Sequence, residues 1–356
     1  MIRKGLDTAN VNTSSPSISI AMATYNGENY IREQLDSLGR QSLQPLELVI
    51  TDDGSTDRTL EIVEEFARTV SFPVRTFRNE TRLRYADNFL KAASLCQGDL
   101  ISFCDQDDIW KSEKLKTCAT FFKDPDLVLA MHSARVFDGN GDTDTYYPRF
   151  SRTQILEPGS CSPFVAPGTD IELRPGFTMV VRREVLQLAN NADRPSQLYG
   201  HDFWVWFLAA SMGRVATIAD VLVQYRQHQS NVCGAPQQFT PVHKLKTSIA
   251  VPDYDTMAEY ELTCSRIVSE LAERAPRLWR PAILKSSRKL AKRAKLHRVR
   301  MRIYRKESTF PRRALVFTRL LFSGGYWPDR TRTRLGVRAG VKDMLLGVTG
   351  LRKAVT

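Results

Sequence analysis

No stretch of this 356-residue chain stays apolar for long. The longest run, Phe203 to Ala210, has eight residues, whereas a membrane-spanning helix needs about 20. Met1 to Pro16 is polar and holds no apolar signal core, so it reads as a loose arm of a cytoplasmic protein. The six cysteines, at 96, 104, 118, 161, 233 and 264, never come as Cys-x-x-Cys. That spacing speaks against a zinc site or a disulfide frame and for buried thiols. No Gly-x-Gly-x-x-Gly follows the first strand signal, which disfavours a dinucleotide fold. The Gly-x4-Gly-Lys-Ser/Thr phosphate loop is absent as well. Carboxylates are scarce at one end. Residues 270–356 hold 24 Lys and Arg against 5 Asp and Glu, while the other 269 residues hold 27 against 34. The net charge of +12 therefore divides into a mildly acidic body and a strongly basic tail.

What is present is alternation. Ile18, Ile20 and Met22 alternate within a strand signal over 17–24, and Leu46 to Thr51 is a second apolar strand. Pro73 to Phe77 and Leu100 to Cys104 are the third and fourth. Between them lie helical spacings at Ile31, Leu35 and Leu38, at Leu60, Val63 and Phe66, and at Phe89, Leu90 and Ala93. Alternating β and α units of this length predict a doubly wound, mostly parallel α/β sheet. Later segments read as a strand over 176–181, a buried helix over 199–212 and a strand over 218–224. Residues 145–169, rich in Pro, Ser and Gly, read as a loop over the active face. The organisation is then an arm (1–16), a catalytic domain (17–235) and a basic helical extension (236–356).

Polar residues collect where these strands end. Asp105, Asp107 and Asp108 follow the fourth strand directly. Carboxylates so crowded repel one another unless a cation or strong donors face them. Oxygen-rich sites of this kind suit Mg²⁺ or Mn²⁺ sharing substrate phosphates, and open α/β sheets bind ligands at the carboxyl ends of their strands. Thr24-Tyr25-Asn26, Asp52-Asp53 and His201-Asp202 fall at comparable positions.

The blocks SISIAMATYNGENY…VITDDGSTD, then NFLKAASLCQGDLISFCDQDDIW, then GHDFWVW…VQYRQH resemble glycosyltransferase family 2, across about residues 17 to 231. CDQDDIW with HDFW and YRQH is most similar to the bacterial rhamnosyltransferase-like subgroup. The resemblance implies the GT-A fold, transfer with inversion at the sugar, and a Mg²⁺ or Mn²⁺ cofactor. It places Thr24, Tyr25 and Asn26 in the nucleotide-base pocket and Asp52 opposite a pyrimidine ring nitrogen, with Asp53 shaping the turn. Asp105 would face the ribose or sugar, and Asp107 the metal with His228. Asp108 would serve as ligand or as brace. Asp202 would be the catalytic base that takes the acceptor proton, and its neighbour His201 would share in that transfer or pack. Arg226 is expected to reach the diphosphate. Arg84 stands where the family commonly has Gly, and with Asn88 and Lys91 it is expected near diphosphate or base. Gly176 would permit close backbone approach on the acceptor side.

The chain lacks the Gln-x-x-Arg-Trp element of processive synthases. The resemblance therefore implies transfer of single sugars from a nucleotide-diphosphate sugar to a glycan or lipid-linked acceptor in cell-surface polysaccharide biosynthesis. A sugar nucleotidyltransferase would want a glycine-rich basic N-terminal loop, which Thr24 to Glu28 is not. A non-catalytic glycan-binding relative would not need Asp52, Asp107 and Asp202 intact. The basic tail suits an anionic membrane surface on the inner face of the cell, or a solvated bundle over the catalytic domain. Nucleic acid is the least favoured partner. Tyr326 and Trp327, near Arg330, Arg332 and Arg334, fit an interfacial anchor or a packed helix corner.

Overall fold

The computed structural model describes residues 15–138, 141–159, 174–195, 200–229, 231, 254–305, 307–326 and 337–349. Strands β1 (Ile18–Thr24), β2 (Glu47–Asp52), β3 (Val74–Arg78) and β4 (Leu100–Cys104) form where the alternation predicts them. Helices α1 (Ile31–Gly39), α2 (Thr59–Ala67) and α3 (Arg84–Leu95) connect them. The first helix starts at Ile31, the first residue of its apolar spacing. Gly27 O accepts the backbone N–H of both Tyr30 and Ile31 at 3.0 Å, so the residues before Ile31 make a turn at the sheet edge.

The remaining strands are β5 (Ile109–Trp110), β6 (Leu127–Phe137), β7 (Asp142–Tyr146), β8 (Gln154–Leu156), β9 (Met179–Arg182) and β10 (Arg214–Arg226). All ten form one sheet of order β3-β2-β1-β4-β9-β6-β10-β5, with β7 on β6 and β8 on β10. β1 to β4 are mutually parallel, and β10 is parallel to β6. β9 runs antiparallel between β4 and β6, so six of the ten strands share one direction. Two readings need correction. β6, eleven residues long and central, was not foreseen. Part of the loop expected over 145–169 is sheet, because β8 pairs with β10. Residues 160–173 lie outside the described residues.

Strand period puts alternate residues on opposite faces. Ile18, Ile20 and Met22 pack with α1 and α2 on one face. Ala21, Val49 and Phe103 pack on the other with α3, α5 (Arg183–Asn190) and α6 (His201–Met212). This double covering leaves the carboxyl ends of β1, β2 and β4 as the polar rim. Register aligns Thr24 with Asp52 there.

Beyond the sheet come α4 (Lys114–Ala119, between β5 and β6), α7 (Tyr254–Arg274), α8 (Arg280–Tyr304), α9 (Phe310–Phe322) and α10 (Val337–Lys342), which runs into a π-helical turn, Asp343–Val348. The extension does not start a separate core at once: Val268, Leu271, Ile283 and Leu290 join Trp204 and Phe207 of α6. A small distal core follows, built on Ile303, Leu320, Tyr326 and Val348. It contains a satisfied ionic knot. Arg300 Nε donates to Asp343 Oδ1 and Oδ2 at 2.8 and 2.6 Å, and the Tyr304 and Tyr326 hydroxyls each donate to Asp343 at 2.7 Å. Tyr326 is thus a core residue, 3% exposed, and not an interfacial anchor. Trp327, Arg330, Arg332 and Arg334 lie outside the described residues, as do the proposed boundary at 235 and most of the N-terminal arm. Cys96, Cys104, Cys118 and Cys264 are buried free thiols, and Cys161 and Cys233 lie outside the described residues. No helix among the described residues is long and apolar enough to cross a membrane.

Candidate active site

The rim is stitched by side chains that accept backbone N–H groups. Asp52, fully buried, takes Gly54 N and Ser55 N on Oδ1 at 3.1 and 2.8 Å, and Thr24 Oγ1 donates to its Oδ2 at 3.0 Å. Gly54 (φ +86) permits that turn at no steric cost. Asp53 Oδ1 accepts Asn79 Nδ2 and Leu83 N at 2.7 and 2.9 Å, and its Oδ2 accepts Arg84 N at 2.7 Å. The second aspartate thereby seats the start of α3. Asn26 (φ +46) accepts Thr56 N on Oδ1 at 2.9 Å and ties the β1 loop to the β2 loop.

Gln106, unremarked in the sequence except as a spacer, closes this edge. Its amide pairs with the Tyr25 backbone in both directions, Oε1 accepting Tyr25 N at 3.0 Å and Nε2 donating to Tyr25 O at 3.1 Å. A Cβ on Gly27 would fall 2.5 Å from Gln106 Oε1, so a side chain there would displace the Gln106 amide from this joint. Above the joint lies the Tyr25 ring, 38% exposed, with the Arg82 guanidinium 3.8 Å from its centroid.

The acidic run after β4 divides by environment. Asp107 Oδ2 faces His228 Nε2 at 2.8 Å, and the imidazole stacks on Tyr30 at 4.5 Å. Asp108 is fully buried: its Oδ1 accepts Arg226 N at 3.0 Å and its Oδ2 has no partner. Burial pushes the Asp108 carboxyl well up, with Asp107 and Asp105 adding to the shift. Burial likewise raises Asp105, and the charges of Asp107 and Asp202 raise it further. Lys114 of α4 lies behind them with no exposed surface. Its ammonium donates to Phe177 O at 2.7 Å and sits 3.2 Å from the Trp110 ring centroid. Burial lowers its pKa to about 7, although Cys104, Cys118, Asp108 and Asp105 favour the charge. Within α4, Lys114 shares the buried side with Leu115 and Cys118.

At the start of α6, Asp202 Oδ1 accepts Phe203 N at 2.7 Å. Burial lifts its pKa to about 6, against the backbone N–H groups of Phe203, Asp202 and Gly176, which pull it down. Two glycines make the room. A Cβ on Gly200 would meet Asp202 Oδ1 at 2.4 Å, and one on Gly176 would meet His201 Nε2 at 2.5 Å.

Residues 19–188 match the sequence model of Glycosyl transferase family 2. A dTDP-rhamnosyl transferase of Shigella flexneri, RfbG, is 30% identical over 237 residues, which cover 63% of this chain and 77% of that protein. The chain belongs to glycosyl transferase family 2. An uncharacterized glycosyltransferase of Nostoc sp. is 26% identical over 223 residues, 60% of this chain and 66% of that relative. Several of the relatives are thus matched over less than two thirds of their length, 60% for a Mycobacterium tuberculosis protein. Among solved structures, Staphylococcus aureus TarS 1–349 in complex with UDP aligns at TM-score 0.49 and 19% identity, over 88% of this chain and 93% of that one. The sheet order with its polar carboxyl rim is that of the family's GT-A fold.

Several residues of this family-2 chain stand elsewhere than its motifs imply. His201 turns inward. It stacks on Phe89 at 4.3 Å and meets Phe103 edge-on at 5.0 Å, and burial drops its pKa to about 3. Both ring nitrogens are buried without a hydrogen-bond partner, so the ring packs in the core. Arg226 is a brace rather than an arm: its Nε donates to Asp107 O at 2.8 Å, its other end pairs with Glu33, and Phe137 and Tyr30 flank it. Asn88, 2% exposed, is a strut that donates to Thr51 O at 3.0 Å and accepts Asn79 Nδ2 at 2.8 Å. Lys91 donates to Asn79 Oδ1 at 2.7 Å. Arg84 keeps an exposed side chain on a left-handed backbone (φ +65), where glycine would be unstrained.

A divalent ion is the cofactor the family implies, and the donors suit one. Asp107 and His228 offer an oxygen and a nitrogen 2.8 Å apart, both side chains mostly but not fully covered at 13% and 14% exposure. Among the described residues, no group of three or more His, Cys, Asp or Glu could enclose a metal. Two protein donors with the remaining positions open match the habit of Mg²⁺ or Mn²⁺ at phosphates.

Proposed function

We propose that this family-2 chain transfers one sugar, with inversion, from a nucleotide-diphosphate sugar to a hydroxyl of a glycan or lipid-linked acceptor, in cell-surface polysaccharide biosynthesis on the cytoplasmic side of the membrane. One observation carries the reading. The desolvated Asp202 and the Asp105–Asp107–His228 group occupy the same rim, close enough for Asp202 to raise the Asp105 pKa.

The roles follow from that placement. The exposed Tyr25 ring, clamped by Arg82, offers a flat face to a base, and Thr24 and Asn26 hold the loop that presents it. Asp52 keeps that floor in shape from beneath, its two oxygens taken by Gly54 N, Ser55 N, Thr24 Oγ1 and Ser55 Oγ. Asp107 and His228 would hold Mg²⁺ or Mn²⁺, which when bound offsets charge on the departing diphosphate. Arg84 supplies an exposed cation beside it. Asp202 takes the acceptor's hydroxyl proton as the bond from that oxygen to the anomeric carbon forms. The bond from that carbon to the diphosphate oxygen breaks on the opposite face. Burial makes Asp202 a stronger base than a solvated carboxylate.

RfbG's name makes dTDP-rhamnose the first donor to test. Incubation with dTDP-, UDP- and GDP-sugars plus Mn²⁺ is expected to release nucleoside diphosphate from one of them, faster with a lipid-linked oligosaccharide present. Release of pyrophosphate from a nucleoside triphosphate and a sugar phosphate, with no cleavage of any donor, would replace this reading with nucleotidyl transfer.

A further inference from the structure

The C-terminal helices expose surfaces that sugar transfer does not use. Eight of the fourteen exposed large hydrophobic residues among the described residues lie between Phe310 and Leu345. α9 is two-faced. Ala314, Phe317 and Leu320 turn to the distal core. Arg312, Leu315, Arg319 and Phe322, spaced i, i+3, i+7, i+10, form the opposite stripe, with Leu315 51% and Phe322 86% exposed. The next helix and its π turn expose Val337, Val341, Met344 and Leu345, each by more than half. The one carboxylate among the described residues from 310 to 349 is Asp343, fully buried on Arg300. Upstream, α8 exposes Lys285, Arg288, Lys292, Lys295 and Arg302 at the same kind of spacing, a cationic line about 25 Å long at 1.5 Å per residue.

These features select among partners. A nucleic acid would neutralise the cations and leave Leu315 and Phe322 in water. A second copy would set arginine stripe against arginine stripe. A bilayer with anionic headgroups satisfies both halves of the pattern, since arginines interleaved with apolar side chains lie at the depth where headgroups meet acyl chains. We propose that α9 and the exposed side of α10 dock this enzyme on an anionic lipid surface, with Leu315 and Phe322 inserted and the α8 cations adding long-range attraction. The proposal deepens the lipid-linked acceptor reading above, and its test does not depend on that reading.

The full chain is sedimented with phosphatidylcholine vesicles, with and without phosphatidylglycerol. Binding is expected only with the anionic lipid, weakening as salt rises. Leu315→Ser with Phe322→Ser is expected to lower partitioning about tenfold or more. Arg312→Gln with Arg319→Gln is expected to cost roughly fivefold per charge. All four sites are exposed, so melting temperature and cleavage of soluble donor should stay at wild-type levels in both variants. Loss of vesicle binding with donor cleavage intact supports the docking face. Equal binding to neutral vesicles overturns it, and so does wild-type binding by either variant. Tighter binding to DNA that the serine variant keeps, or a solution dimer that the serine variant dissolves, would assign the face to another partner.

Discussion

Asp202→Asn is expected to lower the transfer rate by about 10²- to 10⁴-fold, the usual contribution of a positioned general base. The substitution is mild structurally. Asn retains an oxygen to accept Phe203 N in the first turn of α6, so the melting temperature should move little. What it loses is the capacity to take a proton. Burial raises the Asp202 pKa to about 6, and the base works only when deprotonated. Wild-type turnover should therefore rise about tenfold per pH unit below 6 and level off above it, whereas the residual rate of the Asn variant should lack that limb. The kcat profile from pH 4.5 to 8 measures both. An Asn variant with wild-type turnover, or one that keeps the limb near pH 6, would move the base elsewhere on the rim.

Lys114→Met is expected to destabilise the fold by about 1–3 kcal/mol, the cost of leaving the buried Phe177 carbonyl without its donor. The melting temperature should fall by a few °C. Met fills much of the volume and still packs on Trp110, so a cavity does not explain the loss. The variant instead removes the donor to Phe177 O and the counter-charge behind Asp105 and Asp108. Adding Asp108→Asn should recover part of the loss, because it removes one carboxylate left without a cation. The pH dependence has a defined sign. The Lys114 pKa is about 7 in the folded chain, against the ordinary lysine value of 10.5 once the chain unfolds. Between those values the unfolded chain binds more protons, so this group adds stability as pH rises. The Met variant should lack that rise. Urea melts at pH 7 and pH 9.5 decide it, and an Asp108→Asn addition that deepens the loss would contradict the pairing.

Local pattern announced the first half of the sheet. Ile18, Ile20 and Met22 alternate, Leu35 and Leu38 repeat at helical spacing, and each unit is short enough to read alone. The acidic rim was legible for the same reason, since like charges placed together after a strand need a partner. β6 was not. Its near-continuous apolar run carries His132 and Ser133 mid-strand, and its partners β9 and β10 lie far along the chain. Direction was harder than presence. His201 and Arg226 stand in motifs that suggest chemistry, but Phe89, Phe103, Glu33 and Phe137 fix where their side chains point. No spacing rule brings those residues together. Gln106 and Lys114 were missed because their partners, the Tyr25 backbone and Phe177 O, are main-chain groups that any sequence possesses.

Thermal melting with a panel of nucleoside diphosphates, with and without Mn²⁺, on wild type and on Asp107→Ala tests the centre of this reading most directly. A ligand that binds only the native state raises the melting temperature by mass action. One diphosphate together with Mn²⁺ should stabilise the wild type while neither does so alone, and Asp107→Ala should lose that response. Stabilisation that ignores the metal, or that survives intact in Asp107→Ala, would show that these carboxylates hold no ion against a donor's phosphates.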